Sequence, residues 1–178
     1  MNPVNQDVLI IGCGDIGVRV ARILQASGIK VAGLARSEEA AERLRGFNIE
    51  PVMGNLDDAD SLETLPCKGK LVFYLAPPPG GGPIDGRMRT FCEVVSPGQA
   101  PEKIVYMSTS GVYGDCHGAR VTEATPVNPQ TSRAQRRVDA ENVLREWGRT
   151  NGVPVVILRV TGIYGPGRLP LARLRQGH

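Results

Sequence analysis

VLIIGCGDIG, residues 8–17, is the stretch from which the rest of this chain is read. Four apolar residues, Val8 to Ile11, run without a break into glycines at 12, 14 and 17. A short apolar run closed by glycine is the pattern of a buried strand ending in a tight turn. VRVARILQASG follows directly, with Ile16, Val20, Ile23 and Leu24 at helical intervals. Strand, glycine turn and helix in a G-x-G-x-x-G frame make a dinucleotide-binding unit. Each glycine has its own reason: Gly12 lets the chain turn sharply, Gly14 lets backbone approach a pyrophosphate, and Gly17 lets helix and strand pack closely. The free N–H groups and positive end of the helix then face the phosphates. A plain structural turn is the competing reading of the same glycines.

The whole chain sets wide bounds around that unit. Its 178 residues suit one domain with a proper core. Apolar residues make up 41% and charged residues 22%, the balance of an ordinary globular protein rather than a disordered one. The net charge of +3 is dispersed, with no basic block, so nucleic acid is not an expected partner. No apolar run approaches the ~18 residues of a membrane span, and MNPVNQD lacks the basic-then-apolar pattern of a signal peptide. The cytoplasm is therefore the expected compartment. Cysteines 13, 67, 92 and 116 contain no C-x-x-C pair, and His117 and His178 stand apart, so no metal site is expected. Cys13 lies inside the glycine turn, where a small side chain is all that is required.

Downstream, strand and helix alternate. Gly28 ends the first helix, and Ile29–Leu34 reads as a second strand. The residue just past this strand meets the adenosine ribose: an acid suits the free 2′-hydroxyl of NAD, an arginine the 2′-phosphate of NADP. Here the chain reads Ala35-Arg36-Ser37, so NADP(H) is favoured over NAD(H). Ser37 also suits the N-cap of a helix over 38–45. Phe47–Met53 reads as a third strand, followed by a helix around 57–65. Asn55 is placed to reach an adenine edge, or else Asp57 simply caps that helix. Lys70–Ala76 is a fourth strand, and PPPGGGPIDG (77–86) after it is a substrate-side loop or a linker. A helix near 87–95, a strand at Lys103–Met107, a long helix over about 131–148 and a strand at Val153–Val160 complete the pattern. Ala134, Val138, Val143, Leu144 and Trp147 are candidates for the buried face of the long helix. The expected architecture is α/β, a doubly wound parallel sheet or Rossmann fold. On that plan the dinucleotide meets Gly12, Cys13, Gly14, Asp15, Ile16 and Gly17, then Arg36 and Ser37, Asn55 and Leu56, and Leu75, Ala76 and Pro77.

MSTSGVYG at 107–114 resembles the short-chain dehydrogenase/reductase superfamily, in its extended branch, the NAD-dependent epimerases/dehydratases. EATPVNP (123–129) and LRVTGIYGPG (158–167) agree with it, and the resemblance covers nearly the whole chain. It implies a Ser or Thr that polarises the substrate, at Thr109 here, and a Tyr and Lys four residues apart that handle the proton. Those two positions correspond to Arg133 and Arg137. A guanidinium stays protonated and accepts no hydrogen bond, so Arg133 is no general base. Arg137 keeps the ability to hydrogen-bond a nicotinamide ribose or a phosphate; alternatively both arginines lie on a solvated helix face. Tyr113 and His117 are the other candidate proton donors. Extended members space their glycines G-x-x-G-x-x-G, whereas position 11 is Ile11, so the chain resembles the atypical members of the superfamily.

The resemblance also implies a substrate lobe after YGPG, and the chain is expected to be a truncation after the sixth strand, a cofactor domain over 1–178 with that lobe largely absent. Two functions are open at this point. One is an NADP-linked oxidoreductase or epimerase-like protein acting on a nucleotide-sugar or similar hydroxylated small molecule. The other is a non-catalytic NADP(H)-binding sensor or scaffold. Related proteins pair through the long helix, which makes a homodimer a further expectation, although Arg133, Arg136 and Arg137 leave its start strongly polar.

Overall fold

Val8–Ile11 forms the first strand, β1, and all four side chains are buried. Successive residues of a strand point to opposite faces, so a strand covered on both sides is apolar throughout. Val8 and Ile10 enter one hydrophobic cluster and Leu9 and Ile11 the other, on the two faces of the sheet. The computed structural model describes residues 7–165, together with Leu169 and Arg175. Pro166 and Gly167 of the YGPG stretch, and His178, lie outside the described residues.

The remaining strands are β2 (Val31–Ala35), β3 (Glu50–Met53), β4 (Leu71–Tyr74), β5 (Lys103–Thr109) and β6 (Val155–Val160). They assemble in the order β3-β2-β1-β4-β5-β6, every neighbouring pair parallel. Helices α1 (Asp15–Ala26) and α2 (Glu38–Arg45) bury Val18, Ala21, Ala41 and Leu44 against one face. Helices α3 (Gly86–Val94) and α4 (Ser132–Asn151) bury Met88, Phe91, Ala140 and Leu144 against the other. This is the expected doubly wound α/β fold. The strand order reverses between β1 and β4, and the crevice at their carboxyl ends is where such sheets bind ligands. At the far edge β6 leaves Val156 and Leu158 exposed, at 41% and 46%.

Three local expectations are corrected. The helix expected around 57–65 is one 3-10 turn, Asp60–Leu62. Its first residues are drawn into a polar knot instead: Asn55 Oδ1 accepts from the Asp57 amide at 3.1 Å, and Ser61 Oγ donates to the Asp58 carbonyl at 2.7 Å. Asp57 therefore caps no helix. The third strand starts at Glu50 rather than Phe47, because the Phe47 and Ile49 amides both fold back onto the Leu44 carbonyl. On α4 the buried stripe is Ala134, Arg137, Ala140, Glu141, Leu144 and Gly148, while Val138, Val143 and Trp147 are half-buried. The stripe keeps helical spacing but carries two charged residues, so apolar periodicity alone does not reveal it. Among the described residues no helix is long and apolar enough to cross a membrane, and no group of three or more His, Cys, Asp or Glu is placed to hold a metal.

Candidate functional site

The turn after β1 shows three glycines in three situations. Gly12 has φ +99°, and a side chain there would collide with the backbone of Ala76 in the strand end alongside. A Cβ at Gly17 would lie 2.8 Å from the Gly12 carbonyl oxygen, so α1 closes onto the turn only because residue 17 is bare. At Gly14 a Cβ would meet nothing within 4 Å; it would stand in open space. Gly14 is also the N-cap of α1 and supplies no capping side chain. A helix end without a side-chain cap keeps first-turn amides for an anion.

That open space is a cleft of about 460 Å³. Gly12, Cys13, Gly14, Asp15 and Ile16 line it on the turn side, and Arg36, Asn55, Leu56, Leu75, Ala76 and Pro77 line it at the ends of β2, β3 and β4. Eleven of the residues named from the sequence therefore converge here. Gly17 packs behind the turn. Ser37 does not line the cleft: its hydroxyl accepts from the Ala40 amide at 3.2 Å and caps α2. Cys13 Sγ is buried and packs over Gly33, where a Cβ would come within 2.6 Å of it. Burial pushes its thiol up to about 12, against a smaller opposing pull from Arg43, so it is no nucleophile.

Two arginines that the sequence reading passed over also line the cleft. Arg43 of α2 donates from Nη2 to the Cys13 carbonyl at 2.8 Å. Arg87, in the first turn of α3, grips Asp57 with both arms of its fork, at 2.7 Å from Nε and 2.6 Å from Nη2, and donates to the Pro77 carbonyl at 3.2 Å. Arg36 is exposed and forms no hydrogen bond or ion pair among the described residues. No local pattern in the sequence pointed to either Arg43 or Arg87.

The positions drawn from the resemblance behave differently from one another. Thr109 ends β5 half-buried, and its Oγ1 accepts from the Gly111 amide at 3.2 Å, away from the residues lining the cleft. Arg133 is exposed on the first turn of α4, as a solvated face requires. Arg137 is not on that face: it is 7% exposed, with Nη1 donating to Tyr106 Oη at 3.1 Å and to the Met107 carbonyl at 2.8 Å. It does not line the cleft, although Met107 does. Burial raises the Tyr106 phenol to about 12, with Arg137 pulling the other way. A phenol so placed stays protonated at neutral pH.

Tyr113 is held as a strut. Its hydroxyl accepts from Arg159 Nη1 at 2.9 Å and donates to the Thr122 carbonyl at 3.0 Å, and the Arg159 guanidinium lies 4.9 Å from its ring centre. Arg159 is held in turn by Glu141, which is fully buried and also takes hydrogen bonds from Ser108 at 2.6 Å and Arg145 at 3.0 Å. Burial favours protonation of Glu141, but these donors prevail and hold its carboxyl below the ordinary range. His117 sits on an exposed loop beside Asp115. Neither Tyr113 nor His117 lines the cleft.

Comparison with known proteins adds to this geometry. Residues 88–175 match the model of the NAD dependent epimerase/dehydratase family, and residues 8–69 match that of the TrkA-N domain. Protein YeeZ of Escherichia coli (strain K12) is 31% identical over 170 residues, covering 92% of this chain and 61% of its own. The chain thus spans about three fifths of that relative's length. A functionally unknown conserved protein from Silicibacter pomeroyi superposes with a TM-score of 0.72 at 29% identity, covering 95% of this chain and 57% of its own. The UDP-glucuronic acid 4-epimerase of Bacillus cereus in complex with NAD superposes at 0.70 with 20% identity, over 90% of this chain and 58% of that one, a likeness of fold.

Proposed function

We propose that this chain, whose residues 88–175 match the model of the NAD dependent epimerase/dehydratase family, binds NADP(H) in the cleft at the ends of β1, β2 and β4. The observation that carries this reading is the pairing of the α1 N-terminus at Gly14, which has no side-chain cap, with Arg36, which forms no hydrogen bond or ion pair among the described residues. The residues present fit the cofactor. The amides of the turn suit the pyrophosphate, and Arg36 suits the 2′-phosphate with a planar fork. The apolar strand ends at Leu56, Leu75 and Ala76 suit the flat faces of the adenosine half. When bound, the cofactor supplies or accepts a hydride.

The proton chemistry that accompanies hydride transfer is non-standard. Arg133 holds a positive charge and has no acceptor, and Tyr113 already has its hydroxyl engaged on both sides. Arg137, buried on the Met107 carbonyl, positions the strand end that borders the cleft. In this reading the chain is an oxidoreductase- or epimerase-like cofactor domain for a nucleotide-sugar or similar hydroxylated molecule, with Thr109 as its one surviving polar catalytic position. A second reading, a non-catalytic NADP(H) sensor or scaffold, is favoured by one specific observation: the described residues at the former Tyr and Lys positions are one exposed and one buried arginine.

Titration of the chain with NADPH and with NADH tests the binding reading; tighter NADPH is expected, and equal or reversed affinities would sink it. Single-turnover mixing with nucleotide-sugars, followed by absorbance of the reduced cofactor, separates the enzyme from the sensor.

A further inference from the structure

We infer that Arg87 is a cofactor-specificity residue that never needs to touch the phosphate: it neutralises Asp57, so that Arg36 meets an anion without competition from the Asp57 carboxylate. The inference rests on the NADP reading above and deepens it. Asp57 sits on the loop after β3, next to the cleft-lining pair Asn55 and Leu56. A carboxylate at that position is a natural deterrent to a 2′-phosphate, since like charges a few ångströms apart at a half-solvated mouth repel appreciably. Here both carboxylate oxygens are taken by Arg87, a residue thirty positions downstream on another helix, at 2.7 and 2.6 Å.

Several observations converge on this role. The contact is a two-bond fork, a geometry that fixes orientation as well as charge. Arg87 is itself pinned at a third point, the Pro77 carbonyl, so the fork faces Asp57 from a fixed strand end. Its side chain is 22% exposed and that of Asp57 46%, so the pair lies at the mouth and not in the interior. Arg36 is near enough to Asp57 to help hold its carboxyl down, after the larger effect of Arg87. Two guanidinium groups, Arg87 by direct contact and Arg36 by its charge, therefore act on the one carboxylate. Without Arg87, Arg36 is the cation left acting on Asp57 among the described residues, and the guanidinium meant for a phosphate becomes the partner of a carboxylate.

The experiment is calorimetric titration of the full chain with NADPH and NADH at low salt, for the wild type, Arg87→Ala, Arg87→Lys, Asp57→Asn and the double variant Arg87→Ala/Asp57→Asn. Arg87→Ala is expected to weaken NADPH by about fivefold while NADH changes by less than about twofold. Arg87→Lys keeps the charge and should keep the preference. The double variant should recover it, because the charge that needed neutralising is gone. Asp57→Asn alone should leave the preference intact or raise it. Equal losses for both cofactors in Arg87→Ala, unrelieved in the double variant, would overturn the inference and make Arg87 a wall of the cleft. Equal wild-type affinities would instead refute the NADP reading; the Arg87→Ala change in the NADPH-to-NADH ratio still decides the role of Arg87 in that case. Circular dichroism and thermal melts accompany each titration, and an unfolded Arg87→Ala is replaced by the comparison of Arg87→Lys with Asp57→Asn.

Discussion

Arg43 donates from Nη2 to the carbonyl of Cys13 at 2.8 Å, so the glycine turn after β1 and the helix after β2 are joined by one charged hydrogen bond. Gly12 of the same turn packs against the backbone of Ala76. Arg43→Ala leaves that carbonyl without its donor and should cost about 1.5 kcal/mol of stability in urea unfolding. Dinucleotide affinity should fall with it, since the amides of the turn lose a support. Unchanged stability would mean that the contact is ornamental.

Gly14 and Gly17 give opposite predictions from the same three-glycine frame. Gly17→Ala places a Cβ 2.8 Å from the Gly12 carbonyl oxygen and should destabilise the fold by about 1–3 kcal/mol, because α1 must shift outward. Gly14→Ala meets no protein atom within 4 Å and should leave the melting temperature unchanged. It should nevertheless abolish dinucleotide binding, since the added methyl occupies the space proposed for the pyrophosphate. A Gly14→Ala protein that still binds would place the cofactor elsewhere.

Arg36→Ala should weaken NADPH by about tenfold, the contribution of one charge-assisted contact, while leaving NADH within about twofold. Equal effects on both cofactors would show that Arg36 contacts the adenine or ribose and not a phosphate.

Glu141 sets an acid limit on stability. Its carboxyl is held below the ordinary range in the folded protein, with burial opposed by Arg159, Ser108 and Arg145. A group with a depressed folded value stabilises fully above its unfolded pKa and loses that contribution as the pH falls through the folded value. Stability should therefore decline as the pH drops below the usual carboxylate range. Glu141→Gln should cost about 3 kcal/mol at neutral pH, by removing the buried carboxylate that holds the half-buried Arg159. That variant should also show a shallower acid decline, measured by urea unfolding across a pH series.

The parts of this molecule that were legible in the sequence are those written by neighbours along the chain. Val8–Ile11 announces a two-faced buried strand, and Gly12, Gly14 and Gly17 announce the turn, because strand period and turn geometry are local. The Ser37 cap is legible for the same reason. The helix expected at 57–65 failed because Asn55 and Ser61 bind the intervening backbone, a choice made by side-chain hydrogen bonds that no periodicity records. Arg87 and Arg137 were illegible in a deeper sense. One faces Asp57 and the other the Met107 carbonyl, each thirty residues away, and no pattern within a helix distinguishes such an arginine from a solvated one.

The order of the strands has a consequence for how the protein comes into being. The turn at Gly12–Gly17 is synthesised first, but the wall it leans on, Leu75 to Pro77, arrives sixty residues later because β1 pairs with β4. A nascent chain that has released only β1, β2 and β3 has the glycine turn and one side of the proposed cofactor cleft, yet has nothing to close them. Distant pairings of this kind form late and slowly. The cofactor thus has no complete site to recognise until the central sheet has closed, so it can act as a seal on a finished fold and not as a template for building one.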